Sequence, residues 1–105
     1  MNPERLTERS TEALNEALAL ARKSGNPLVH DAHLLRALLH QEDSIVVPIL
    51  TQVGVDVNAL TRAVDTELAR YPKQTDANPS WARELQAVYD EADKQAKALG
   101  VEYIS

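Results

Sequence analysis

Part of the chain repeats itself at an offset of 75 residues, and this repeat limits the possible folds more than any other feature. Shifting the sequence by this distance aligns apolar positions, charges and glycines in the pairs Leu6/Trp81, Leu14/Tyr89, Glu16/Glu91, Ala17/Ala92, Ala21/Ala96, Arg22/Lys97, Gly25/Gly100, Leu28/Tyr103 and Val29/Ile104. The second copy ends at Ser105, where its own second helix should begin. We therefore expect one complete helical unit and a second unit that lacks about forty residues.

Apolar residues recur at helical spacing in five segments, and each segment has a capping or terminating residue. The predicted helices are 7–24, capped by Thr7 and ended by Gly25; 31–41, capped by Asp31; 44–53, ended by Gly54; 56–70, capped by Asp56; and 80–99, capped by Ser80 and ended by Gly100. The chain has no Phe and its apolar residues are mostly Ala, Leu and Val, which favours an all-α fold over a sheet.

Residues 72–79 (PKQTDANP) are polar, lack periodicity and lie between two prolines, so they are predicted to form an exposed linker. The expected organisation is 1–71 as the first repeat, 72–79 as the linker and 80–105 as the first part of the second repeat. On the predicted fifth helix, one face carries the apolar residues Trp81, Leu85, Val88, Tyr89, Ala92, Ala96 and Leu99.

Composition and motifs exclude several classes of function. A net charge of -5 without a cluster of basic residues argues against nucleic acid and anionic membranes as partners. The chain has no cysteine, no GxxxxGK[ST] phosphate-binding loop and no GxSxG nucleophile motif, so we expect neither an enzyme nor a cofactor in this domain. No export signal precedes the first helix, and a cytoplasmic location is expected.

Three histidines raise the alternative of a metal site. His33 and His40 are seven residues apart on the second predicted helix, and His30 lies just before it. Zinc sites of this kind usually need three or four converging ligands, so a metal site is disfavoured and a structural role for His33 is favoured.

The order and spacing of several short segments resemble a known family, the double Clp repeat that opens the ClpB, ClpA and ClpC chaperone ATPases. The ClpB type is the most similar. The segments that carry the resemblance are 5–7 (RLT), 33–35 (HLL), 37–39 (ALL), 41–42 (QE), 48–50 (PIL), 71–73 (YPK), Gly100 and 103–105 (YIS). They span nearly the whole chain.

This resemblance implies a pseudo-twofold repeat of a helical unit that binds exposed apolar segments of unfolded or aggregated proteins and delivers them to a hexameric ATPase motor. The isolated domain is expected to be a monomer. The family's substrate-contacting threonine matches Thr7, and its apolar groove matches Leu85, Tyr89, Tyr103 and Ile104. The family's acidic contact position is Val101 here, with Glu102 one step later, so Glu102 is the candidate for that role.

Two alternatives remain open at the level of sequence. The related ClpA and ClpC repeats imply an adaptor-docking or free-standing interaction module that recognises one defined folded partner. In addition, Thr7 can be a helix cap, and an apolar stripe at helical spacing is more often core than groove.

Overall fold

The computed structural model describes residues 3–42 and 45–98, with side chains described at 8–42, 45–87, 90, 91 and 94. Within these residues five helices dominate, as the sequence predicts: α1 (Pro3–Lys23), α2 (Asp31–His40), α3 (Val46–Gln52), α4 (Val57–Ala69) and α5 (Arg83–Ala98). Two strands of two residues each, β1 (Leu28–Val29) and β2 (Ser80–Trp81), accompany them.

The core lies where α1 and α2 pack together. Ala17 and Ala21 of α1 are fully buried and form one apolar cluster with Val29, Ala37 and Leu85. Alanine side chains allow two helices to approach closely, because little volume separates the backbones. Helix α2 also contacts α3 and α4, and α3 contacts α4, so α2 is the central element of the described bundle.

Three predicted helix starts differ from the structure, and one agrees. Helix α1 begins at Pro3 rather than at Thr7, which suits proline, since the first helical position needs no amide hydrogen. Helix α2 has His30 as its N-cap instead of Asp31, whose Oδ1 accepts a hydrogen bond from the Ala32 amide. Asp56 caps α4 as predicted, because its Oδ1 accepts from the Ala59 amide at 3.1 Å.

The third wrong start concerns α5, which begins at Arg83 and not at Ser80. Ser80 and Trp81 form β2 instead, paired in parallel with Leu28 and Val29 of β1. Two backbone hydrogen bonds hold this pair, from the Ser80 amide to the Pro27 carbonyl at 3.0 Å and from the Ala82 amide to the Val29 carbonyl at 2.9 Å. Trp81 is therefore on a strand, and its predicted place on the fifth helix is wrong.

Of the three glycines predicted to end helices, two are confirmed and one falls outside the described residues. Ser44, the predicted first residue of the third helix, lies outside the described residues, and the described α3 begins at Val46 with Ile45 as its N-cap. Gly100, the predicted end of the fifth helix, also lies outside the described residues. Gly25 and Gly54 both follow helices and have positive φ angles of 74° and 91°. In each case the glycine and the next residue donate to carbonyls of the last helical turn, which is the hydrogen-bond pattern of a Schellman motif.

Alanine at the two glycines should therefore have unequal effects. Both substitutions place a Cβ in a left-handed conformation, at a cost of roughly 1–2 kcal/mol. At Gly25 the new Cβ would also lie 3.2 Å from the Gln74 carbonyl oxygen, whereas at Gly54 it meets nothing within 4 Å. We expect Gly25→Ala to lower the free energy of unfolding more than Gly54→Ala in urea denaturation followed by circular dichroism. Equal losses would show that the linker backbone at Gln74 moves away from the new Cβ without a measurable cost in stability.

Within the part of the chain that the structure describes, no helix combines the length and apolar character needed to cross a membrane.

Candidate functional site

Most of the residues predicted to contact substrate lie where the structure gives no side chain. Thr7 is inside α1 rather than at its start, and Tyr89 is inside α5, but both side chains lie outside the described set. Glu102, Tyr103 and Ile104 lie outside the described residues altogether. The structure therefore leaves their predicted role in substrate binding as a prediction.

Leu85 is the one predicted contact residue whose side chain is described. It is 4% exposed and belongs to the apolar cluster with Ala17, Ala21, Val29 and Ala37. In this position its side chain attaches the first turn of α5 to the first helical unit. A peptide on the surface would touch little of it unless α5 moved.

An exposed apolar surface occurs on α3, where the sequence prediction did not place one. Ile45, Ile49 and Val53, which we call the α3 face, are 47%, 53% and 69% exposed. Their spacing of four residues places them along one side of the helix. Residues 45–55 contain no charged side chain, so the surface is apolar without a charged rim of its own. Adjacent exposed apolar side chains of this size are typical of interaction surfaces.

A second pair of exposed apolar side chains lies on the two strands. Leu28 and Trp81 are each 40% exposed. Because paired residues in a sheet share a face, Trp81 lies on the face of buried Val29, and Leu28 lies on the opposite face with Ser80. These two side chains therefore do not form one continuous patch across the strand pair.

A polar cluster, in which Asn26 and His33 are buried, connects the segments that surround the strands. This histidine hub consists of Asn26, His30, His33, Tyr71 and Glu84. His33 is fully buried, and its Nδ1 accepts a hydrogen bond from the His30 amide at 2.9 Å. A ring nitrogen that accepts carries no proton, so Nε2 holds the proton of neutral His33 and donates it to Asn26 Oδ1, 2.9 Å away. Asn26 in turn donates through Nδ2 to the Pro72 carbonyl at 3.0 Å.

His30 links this hub to α5. Its Nδ1 lies 2.7 Å from Glu84 Oε1, and its ring stacks on Tyr71 with centroids 4.1 Å apart. The Tyr71 ring also contacts His33, at a centroid distance of 5.4 Å. The hub thus joins the segment after α1, the start of α2, the segment after α4 and the first turn of α5.

The environment of the hub changes the protonation of three groups. Burial, aided by the nearby His30, lowers the pKa of His33 from 6.5 to about 4, against a smaller opposing effect of Asp31. Burial is also the main reason that the pKa of Tyr71 is raised. The hydrogen bond from His30 lowers the pKa of the Glu84 carboxyl group. At neutral pH these shifts favour a neutral His33 and an ionised Glu84.

The three histidines do not converge. His33 uses both ring nitrogens within the protein, and His40 has a side chain that is 71% exposed, with Nε2 4.0 Å from Glu16 Oε1. Among the residues that the structure describes, no group of three or more His, Cys, Asp or Glu side chains is arranged to hold a metal ion. The structural role favoured for His33 agrees with its hydrogen bonds.

Sequence reasoning missed both the α3 face and the hub. The α3 face had a usable signal, namely apolar residues at every fourth position in a segment without charges. The hub had only a weak one, because His30 and His33 have the i, i+3 spacing of a capping box without its usual residue types.

Comparisons with known proteins agree with the fold. The family model described as the Clp repeat (R) N-terminal domain matches residues 5–105. The chaperone protein ClpB of Corynebacterium diphtheriae is 40% identical over 102 residues, which cover 94% of this chain and 12% of that protein. ClpB of Mycobacterium tuberculosis is 39% identical over 101 residues, with the same coverage, and ClpB of Pseudomonas putida is 33% identical over 107 residues, covering 100% of this chain and 12% of that protein.

Among solved structures, a chain described as "Peptide from EAEC T6SS Sci1 SciI protein" superposes with a TM-score of 0.83. The match covers 99% of this chain and 69% of that chain, at 23% sequence identity. This likeness shows the fold alone. The chain itself spans 12% of the length of the curated relatives it matches first.

Proposed function

The chain belongs to the Clp repeat (R) N-terminal domain family, and from this premise we propose that it is the substrate-recognition domain of a ClpB-type ATP-dependent chaperone. In this role it binds exposed apolar segments of unfolded or aggregated proteins in the cytoplasm and delivers them to a hexameric motor that hydrolyses ATP. The domain itself contributes binding rather than catalysis.

The observation that carries this proposal is the exposure of large apolar side chains on a segment without charged residues. The α3 face leaves Ile45, Ile49 and Val53 in water at 47–69% exposure, and residues 45–55 carry no charge that would select a charged ligand. An apolar polypeptide segment gains by removing such side chains from water, at about 25 cal/mol per Å² of buried apolar surface. Absence of charge also suits clients of diverse sequence.

The resemblance to the family adds a second set of contact residues to the proposal. These are Thr7, Tyr89, Glu102, Tyr103 and Ile104, together with Leu85 if α5 moves to expose it. Binding should be weak, because an unfolded ligand loses conformational entropy on capture and a small surface offers limited burial to offset this loss. We expect a Kd of about a micromolar or weaker.

An amide NMR titration tests the proposal. The isotope-labelled chain is titrated with a permanently unfolded protein, reduced and alkylated, while the signals of Thr7, Tyr89 and Tyr103 and of Ile49 and Val53 are followed. Localised, saturable shifts in either group are the expected result. The double variant Ile49→Ser with Val53→Ser should weaken binding by about fivefold or more, since it removes apolar area from the α3 face.

Gln52→Ser is the matched control, because Gln52 is an exposed α3 residue and its replacement leaves the apolar side chains in place. Shifts confined to Thr7, Tyr89 and Tyr103, with unchanged affinity in the double variant, would support substrate binding but show that the α3 face takes no part in it. Unchanged spectra from a folded chain would contradict the proposal. If a pull-down then recovered a single defined protein partner, the adaptor-docking alternative would be favoured.

A further inference from the structure

The histidine hub lies at the junction between the first helical unit and everything that follows it. Asn26 holds the Pro72 carbonyl, and the adjacent Gly25 carbonyl accepts a hydrogen bond from the Gln74 amide at 2.8 Å. On the other side, His30 contacts Glu84 of α5, and the neighbouring Val29 carbonyl accepts from the Ala82 amide. The 72–79 linker and the start of α5 are therefore both attached through residues 25–30.

We propose that the histidine hub is an acid-sensitive latch, which holds the linker and α5 against the first unit while His33 is neutral and releases them when His33 takes a second proton. The geometry requires this coupling. A second proton must go onto Nδ1, and Nδ1 faces the His30 amide hydrogen at an N···N distance of 2.9 Å. Two donors would then point at each other, so the ring must turn or leave, and its bond to Asn26 is lost as well.

The charged and titratable groups around His33 come from every element packed there. Asp31 of α2 favours a proton on His33, whereas His30, at a ring distance of 6.1 Å, opposes it. Tyr71 after α4 is neutral at these pH values, and Glu84 of α5 reaches the hub through His30. Glu67 of α4 acts on Tyr71. None of them offers a carboxylate within hydrogen-bond distance of buried His33 that would compensate a charge there.

The direction of the pH effect follows from the lowered pKa of His33. Its value falls from 6.5 in the free side chain to about 4 in the folded chain, so the neutral form is favoured by folding. The stabilisation is complete above pH 6.5 and is lost as the pH falls towards 4. The latch should therefore be closed at neutral pH and should open in this acidic range.

The consequence of opening is local rather than global. Release of α5 would withdraw Leu85 from the cluster formed by Ala17, Ala21, Val29 and Ala37, and would separate β2 from β1. The packing of α1 against α2 and of α2 against α4 does not involve the linker. The inference concerns the conformation of the chain alone and does not rest on the proposed function.

The fluorescence of Trp81 should report whether the latch is closed or open. It is the only tryptophan of the chain and lies in β2, paired with Val29 next to the hub. We expect its fluorescence to change as the pH falls from 6.5 to 4, while helical circular dichroism at 222 nm is retained. His33→Gln keeps an amide that can donate to Asn26 but has no group that titrates in this range, so it should abolish this step. His40→Gln, which changes an exposed histidine of the same helix, should preserve it.

A step that persists in His33→Gln, or a fluorescence change that coincides with loss of helix, would overturn the inference. If His33→Gln does not fold at neutral pH, NMR of the unaltered protein gives the answer. The His33 ring signal and the Gln74 and Ala82 amide signals should then share one pH midpoint. Titration of the His33 ring without movement of those two amides would also overturn the latch.

Discussion

Replacement of Leu85 by alanine is expected to lower the free energy of unfolding by about 2–5 kcal/mol, the range found for large-to-small changes at buried apolar positions. Leu85 is 4% exposed and, among the α5 side chains that the structure describes, is the one that belongs to the apolar core. Three of the four other buried residues in its cluster are alanines, whose short side chains cannot extend to fill the space that the leucine leaves. A cavity should therefore remain, and its cost adds to the lost burial.

Urea denaturation followed at 222 nm measures this loss, and Ile49→Ala is the matched control. Ile49 has a side chain of the same size but is 53% exposed, so its replacement should change stability by no more than about 0.5 kcal/mol. A loss below 1 kcal/mol for Leu85→Ala would mean that the leucine contributes little to the core. It would then remain available as the peptide contact that the family resemblance implies.

The helices could be predicted because their signals are local. In α4 the spacing of Val57, Leu60, Val64 and Leu68, the Asp56 cap and the preceding Gly54 all lie within one short segment, and the structure has the helix and the cap as predicted. Such signals depend only on neighbours along the chain. They also locate the buried face of α1, where Ala17 and Ala21 are fully buried.

The strands could not be predicted because their cause is distant in sequence. Ser80 has the residue type of a helix cap, and Trp81 begins an apolar face at helical spacing. The carbonyls of Pro27 and Val29 nevertheless accept hydrogen bonds from the Ser80 and Ala82 amides. This pairing keeps the backbone extended, and the helix begins only once the Ala82 carbonyl accepts from the Leu85 amide.

The candidate site, like the fold, could be predicted from the sequence only in part. The spacing of Ile45, Ile49 and Val53 is visible in the sequence, but their exposure could not be predicted. Their exposure depends on which side of α3 contacts α2 and α4. The substrate contacts implied by the family resemblance remain a prediction for Thr7, Tyr89, Glu102, Tyr103 and Ile104, since the structure describes none of these side chains. Leu85 shows why spacing alone is insufficient: a groove residue and a core residue have the same helical period.

Asn26 should be the most sensitive polar residue of the hub. It is 1% exposed, accepts from His33 Nε2 and donates to the Pro72 carbonyl. Asn26→Ala leaves the buried Nε2–H of His33 without its acceptor and the Pro72 carbonyl without its donor. An unsatisfied buried polar group costs about 1–3 kcal/mol, so we expect the free energy of unfolding to fall by roughly 2–4 kcal/mol.

The same denaturation assay with Asn58→Ala provides the comparison, because Asn58 is exposed on α4 and its loss should change stability by about 0.5 kcal/mol or less. A double-mutant cycle with His33→Leu, which has no side-chain donor for Asn26, then isolates the bond between the two side chains. If Asn26 acts through His33, the combined loss should be smaller than the sum of the single losses by about 0.5–3 kcal/mol. Strictly additive losses would contradict a hydrogen bond shared by Asn26 and His33. Asn26 would then stabilise the protein only through its bond to the Pro72 carbonyl. In that case Asn26→Ala should shift the amide NMR signals of the 72–79 linker.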